Sequence, residues 1–80
     1  MKIVKFEIHS YNHITIYLSD NSSYSANLQS FNDVYCYPKN FVEWQKARIG
    51  EFKADIEWES GFGVHFDQIA SLSENEDQSA

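Results

Sequence analysis

The sequence has few residues that crosslink a chain or interrupt helices and strands: its 80 residues include one cysteine, one proline and three glycines. Methionine is also rare, with one residue. Because Cys36 has no second cysteine in the chain, no internal disulfide and no paired-cysteine zinc site can form. No apolar run approaches the roughly 18 residues of a membrane helix, and the alternating start MKIVKFEIHS lacks the unbroken apolar stretch of a signal peptide. We therefore expect a cytoplasmic protein that stays out of the membrane and binds no cofactor.

Basic residues are also scarce, with six against twelve acidic ones and a formal net charge of -6. Eight of the twelve acidic residues, but only one of the six basic residues, lie from Glu51 onward. A protein that binds nucleic acid directly needs Lys and Arg to contact phosphates, so this charge distribution excludes such a role. It favours a partner protein with a basic surface.

Apolar and aromatic residues, by contrast, are plentiful, at 42% and 16% of the chain, which is enough for the core of one small domain. In the first half they recur with a period of two. Three sets show this pattern, with a turn signal at residues 20 to 22 before the third: Val4, Phe6 and Ile8; Ile14, Ile16 and Leu18; Tyr24, Ala26 and Leu28. The pattern predicts an antiparallel meander of three strands with one wet face.

The alternation stops between Ser30 and Ile49, where two helix-start signals lie on either side of Pro38. Ser30 precedes Asp33, and Asn40 precedes Glu43, at the three-residue spacing of a capping box. The second signal is followed by Phe41, Trp44 and Ala47 on one helical face, and Gly50 can end that helix. We predict a short turn or helix and then a principal helix of two to three turns.

Period two returns between Glu51 and Glu59. Phe52, Ala54, Ile56 and Trp58 form the buried side of a predicted strand, and Asp55, Glu57 and Glu59, the acidic row, form its wet side. A glycine turn follows, and residues 67–72 form a predicted helical turn. We expect one α+β domain over residues 1–72 and a disordered acidic tail over residues 73–80.

This order of elements resembles the small bacterial and phage proteins of the family called domain of unknown function 2442. The residues that carry the resemblance are Leu18-Ser19-Asp20-Asn21 at the first turn, Asn27-Leu28, Pro38-Lys39-Asn40-Phe41 at the helix, and Ile56 to Gly61 at the last strand. Asn21 departs from the family's turn glycine, Asn27 from its aspartate, Glu59 from its proline, and Gly63-Val64 from its Asp-Leu pair. The resemblance implies no established enzyme activity, and it implies membership of predicted toxin and antitoxin gene pairs.

Three kinds of catalytic or metal site have weak support. His9, His13 and His65 show no ligand spacing that would gather the three or four ligands of zinc. Cys36 has no Lys or Arg beside it in sequence to lower its pKa, as a nucleophile requires. The acidic row shares one wet environment, whereas acid-base catalysis needs two carboxylates in different environments.

The sequence as a whole predicts an antiparallel sheet of four to five strands with one main helix packed on a face. We expect a non-catalytic protein-interaction module, antitoxin-like, that binds and neutralises a partner with a basic surface. The predicted partner-binding residues are Asp55, Glu57, Glu59, Phe62, Tyr17 and Tyr35, with no catalytic or metal-binding residues. The alternatives are a phage-encoded, anti-CRISPR-like inhibitor whose acids mimic nucleic-acid phosphates, and a small Cys- or His-dependent enzyme. Homo-oligomerisation through an edge strand stays open.

Overall fold

The computed structural model describes residues 1–73, which form two three-stranded antiparallel sheets and two short α-helices. In chain order the elements are β1 (Ile3–Ile8), β2 (His13–Leu18), β3 (Ser23–Asn27), a 3-10 turn (Gln29–Phe31), α1 (Phe41–Trp44), β4 (Ala47–Ile49), β5 (Asp55–Trp58), β6 (Gly63–His65) and α2 (Phe66–Ser71). The predicted single sheet of four to five strands with one main helix is therefore wrong. The strands divide into a first sheet, β1-β2-β3, and a second sheet, β4-β5-β6.

The first sheet is the meander that the alternating pattern predicts. Ile14 pairs with Ile8 on one side and with Ala26 on the other, so the apolar residues of the three strands share one face. The positive φ angles of Asn12 and Asn21, 76° and 72°, close the two hairpins, because Asn tolerates the left-handed region better than most residues. A bulge between Ile3 and Lys5 shifts the register, so Ile3 is fully buried while Val4 is 59% exposed.

The predicted principal helix starts where expected but ends after one turn. The Asn40 side chain accepts a hydrogen bond from the Glu43 N–H at 2.9 Å, so the predicted N-cap is confirmed. The predicted extension through Ala47 is wrong, since Ala47–Ile49 forms strand β4 and pairs with β5. A helix of one turn gains little by itself, and pairing with β5 satisfies the backbone of the next three residues. The predicted cap at Ser30 is also wrong, because the 3-10 turn begins after Leu28 with no side-chain cap.

The second sheet places β5 between β4 and β6. Ile56 and Trp58 are buried as predicted, at 0% and 4% exposure. Phe52, predicted to share that buried side, is instead 80% exposed. It precedes Lys53, whose φ of 60° turns the chain, so the strand begins only at Asp55.

The two sheets enclose one core in which aromatic rings fill the centre. Trp44 and Trp58 stack with their ring centroids 4.7 Å apart, and Phe62 packs against Tyr37 at 4.8 Å. The two indoles also hold the elements together: Trp44 Nε1–H donates to the His13 carbonyl at 3.1 Å, and Trp58 Nε1–H donates to the Trp44 carbonyl at 2.7 Å. Within residues 1–73, no buried side-chain nitrogen or oxygen lacks a hydrogen-bond partner, as expected of a well-formed core.

The predicted closing helical turn is confirmed as α2, which buries Ile69 against the core. His65 caps it: its Nδ1 accepts from the Asp67 N–H at 3.0 Å, and the Gln68 side chain accepts from the His65 N–H at 3.0 Å. Ser73, predicted as the first residue of the tail, forms a β-bridge with Ala26. The rest of the predicted tail, residues 74–80, lies outside the described residues.

Candidate functional site: the outer face of the second sheet

The acidic row lies on the outer face of the second sheet, along its central strand. Because successive side chains of a strand point to opposite faces, burying Ile56 and Trp58 directs Asp55 and Glu57 outward. Glu59, directly after the strand, is exposed. Carboxylates two residues apart along a strand are spaced about 6.5 to 7 Å. The predicted row of acids on one face is thus present.

Two basic residues flank this row: Arg48 in β4 and Lys46 directly before that strand. Arg48 pairs with Glu57 across the two strands, with Nη2 and Nε at 3.2 and 3.3 Å from Glu57 Oε1. The Arg48 side chain is 80% exposed and that of Glu57 is 38% exposed, so solvent screens the pair and it adds little stability. The Glu59 N–H donates to the Lys46 carbonyl at 3.0 Å, which brings Lys46 alongside Glu59. The face is therefore acidic along its centre and basic along its β4 edge.

Because Gly50 has no side chain, the carboxylates of Asp55 and Glu57 can lie close to its backbone at that edge. A Cβ atom at Gly50 would lie 1.9 Å from Asp55 Oδ1 and 3.1 Å from Glu57 Oε2. The two carboxylate oxygens therefore occupy the space that any other residue at position 50 would fill with its side chain. On the other side of β5, Asp55 lies directly opposite the exposed His65 of β6 in the strand register.

Three adjoining clefts connect this face to an exposed tyrosine. The largest, about 530 Å³, is lined by Lys46, Ala47, Arg48, Glu57, Trp58 and Glu59. A second cleft shares Lys46 and Glu59 with it and adds Glu43 and Ser60. A third shares Glu43 and Ser60 and ends at Tyr35, whose side chain is 99% exposed. Glu57 and Glu59 of the acidic row are thus connected to Tyr35 along one continuous surface, and Asp55 continues the row beyond Glu57.

The other two predicted aromatic contacts lie elsewhere. Tyr17 is on the outer face of the first sheet, where its hydroxyl donates to Glu7 Oε1 at 2.8 Å and the Lys5 ammonium lies 4.8 Å from its ring centroid. The hydrogen bond to Glu7 is the main cause that raises the pKa of Tyr17 above its usual 10.0. Phe62 is only 5% exposed and packs among Tyr37 and Trp58 in the core. Its side chain is not available at the surface, so we leave Phe62 out of the proposed interface.

The residues considered for catalysis are engaged separately in the fold. Cys36 is half-buried and packs against the core. His9 Nε2 is 2.7 Å from Thr15 Oγ1, and His13 Nδ1 is 3.1 Å from Ser10 Oγ, while His65 caps α2. In the part of the chain that the structure describes, no three His, Cys, Asp or Glu side chains are placed to hold a metal ion.

Sequence reasoning found the acidic row but missed its basic edge. The predicted helix, which continues through Ala47 and can end at Gly50, would contain Lys46 and Arg48, whereas Arg48 lies in strand β4 and Lys46 directly precedes it. One signal was present: Lys46, Ala47, Arg48 and Ile49 alternate polar and apolar residues, which is also a strand pattern.

Comparisons with known proteins give no family. No family model, no curated protein and no solved structure matches the chain. The resemblance to domain of unknown function 2442 therefore stays a prediction. Within residues 1–73, no helix is long and apolar enough to cross a membrane.

Proposed function

We propose that this protein is a non-catalytic interaction module that binds and neutralises a protein with a basic surface in the cytoplasm, in the manner of an antitoxin. The observation that supports the proposal most is the continuous surface that joins the acidic row to Tyr35. Backbone pairing of β5 fixes the positions from which Asp55 and Glu57 project, so no loop has to be ordered there when a partner binds. An exposed tyrosine supplies the large, amphipathic contact that protein interfaces favour.

Arg48 competes with a basic partner for one carboxylate of this surface. It already occupies Oε1 of Glu57, so an incoming Lys or Arg must share this carboxylate or displace Arg48. Because the Arg48 side chain is 80% exposed, displacing it costs little. Asp55 and Glu59 form no side-chain ion pair with Lys or Arg among the described residues, so they are open to a partner's cations.

The nucleic-acid mimic has less support from the same surface. A mimic of phosphates should present acids without cations among them, whereas Lys46 and Arg48 border the row. Competition between this protein and DNA or RNA for one target is the result that would favour the mimic.

The test is to mix the purified protein with the product of the gene beside its own and to measure binding by calorimetry. The variant D55N/E57Q/E59Q removes three charges from the acidic row, and we expect at least about tenfold weaker binding from it. D33N/E51Q/D67N removes the same number of charges from exposed residues elsewhere and should bind like the unaltered protein. Absence of a complex with the unaltered protein at micromolar concentration, or equal losses in both variants, contradicts the proposal.

A further inference from the structure

Strand β1 is an edge strand whose outer side, from Lys5 to Ile8, has no backbone partner among residues 1–73. It pairs with β2 on one side only, and no backbone group of residues 5–8 bonds to any residue beyond that pair. The opposite edge of the same sheet is different, because β3 is bridged to Ser73 through Ala26 and packs against α2. An open edge presents free N–H and C=O groups to another strand.

The register identifies which backbone groups of β1 point outward. The Leu18 N–H donates to the Ser22 carbonyl, and the Leu28 N–H donates to the Asn12 carbonyl, so even-numbered residues of β2 bond to β3. Because backbone groups alternate in direction along a strand, the N–H and C=O groups of Thr15 and Tyr17 point toward β1. Their partners there are Glu7 and Lys5, respectively, so the N–H and C=O groups of Phe6 and Ile8 point away from the sheet.

We propose that a second copy of this chain pairs with β1 in antiparallel orientation, about a twofold axis through Phe6. In this register Phe6 faces Phe6 of the second copy, and Lys5 faces Glu7 of the second copy on both sides of the axis. A twofold interface repeats each contact, so the arrangement gives two opposite-charge pairs. Moving the axis by one residue places Glu7 opposite Glu7 or Lys5 opposite Lys5, and like charges directly opposite are destabilising. Charge complementarity thus favours the register centred on Phe6 over its two neighbours.

The same register places the bulge of β1 beside the second copy. Val4, which has no partner in β2 and is 59% exposed, is the bulge residue, and it lies across from Ile8 of the second copy. The pairing ends at this bulge, because the Ile3 N–H beyond it already donates to the Lys53 carbonyl at 2.7 Å. The paired segment is Val4 to Ile8, and the two copies form one continuous sheet. The acidic row, on the other sheet, takes no part in it.

Charge reversal tests the proposed register. The oligomeric state of the unaltered protein, K5E, E7K and K5E/E7K is measured by sedimentation over a range of concentrations, with circular dichroism to confirm folding. Each single variant opposes like charges twice, and we expect dimerisation to weaken about tenfold or more. The double variant restores both attractive pairs, and an equimolar mixture of K5E with E7K does the same. K39E and D33K make the same charge changes on exposed residues outside β1 and should dimerise normally.

Amide hydrogen exchange gives an independent readout. Dimerisation should protect the outward-pointing N–H groups of Phe6 and Ile8 increasingly as protein concentration rises, while the inward groups of Lys5 and Glu7 are protected at every concentration. Four results overturn the proposal: a protein monomeric at millimolar concentration, a dimer unaffected by K5E and E7K, no recovery in the double variant or the mixture, or no concentration-dependent protection at Phe6 and Ile8.

Discussion

Replacement of Trp44 by phenylalanine should destabilise this fold more than any surface change. Trp44 is fully buried, stacks on Trp58 and donates to the His13 carbonyl, so it links α1 to both sheets. Phenylalanine cannot form this hydrogen bond, and its loss costs about 1 kcal/mol. The smaller ring leaves a cavity that costs about 1 to 2 kcal/mol more. A domain of this length has a total stability of about 4 to 12 kcal/mol.

The expected loss of about 2 to 3 kcal/mol corresponds to a fall in Tm of roughly 10 to 20 °C for a domain of this size. Thermal unfolding followed by circular dichroism measures it. Val42→Ala on the same helix is the matched control, because Val42 is 63% exposed and should change stability by no more than about 0.5 kcal/mol. If Trp44→Phe lowers Tm no more than Val42→Ala does, Trp44 does not link the sheets as described.

Three further predictions concern the site and the pH dependence. Arg48→Ala should leave Tm nearly unchanged, since an exposed ion pair contributes about 0 to 1 kcal/mol. It should also increase the affinity for a basic partner, measured by calorimetry, because Glu57 is freed. Weaker binding would contradict this prediction. Gly50→Ala should move the half-exposed Asp55 carboxylate aside at a cost of no more than about 1 kcal/mol in denaturant unfolding. Adding Asp55→Ala should recover that loss, and equal stability of the single and double variants would show that the contact is unimportant. Burial raises the pKa of Tyr37 well above its usual 10.0, so the contribution of its neutral hydroxyl to stability is full below pH 10 and declines as pH rises above 10. Tyr37→Phe should therefore flatten the decline of the unfolding free energy at alkaline pH. An unchanged slope would exclude Tyr37 as the cause of that decline.

Several parts of the structure follow from local patterns alone. The first three strands have clear alternation, and turn residues separate them, so their antiparallel order was predictable. The cap at Asn40 depends on a side chain and an N–H only three residues apart, so it was predictable from local sequence, although the same spacing at Ser30 forms no cap. The acidic row follows from the same alternation, because a buried Ile56 and Trp58 require their neighbours to point outward.

Other parts depend on contacts between residues far apart in sequence. Lys46 to Ile49 suits a helix or a strand, and pairing with β5 decides for the strand. The bulge that buries Ile3 and exposes Val4 reflects how β1 meets the turn at Lys53. Phe62 lies in a glycine turn, where an aromatic side chain is a plausible surface contact from sequence alone. In the structure it packs in the aromatic core between the two sheets.

The sequence by itself determined the three strands of the first sheet, the cap at Asn40 and the outward acids, because each depends on residues within one turn or one strand of each other. Only the tertiary structure decided that there are two sheets, that Arg48 and Lys46 border the acidic row, and that Tyr35 joins that surface while Phe62 does not. Those features depend on which backbone groups pair across long loops and on which rings fill the space between two sheets, and neither is encoded in local spacing.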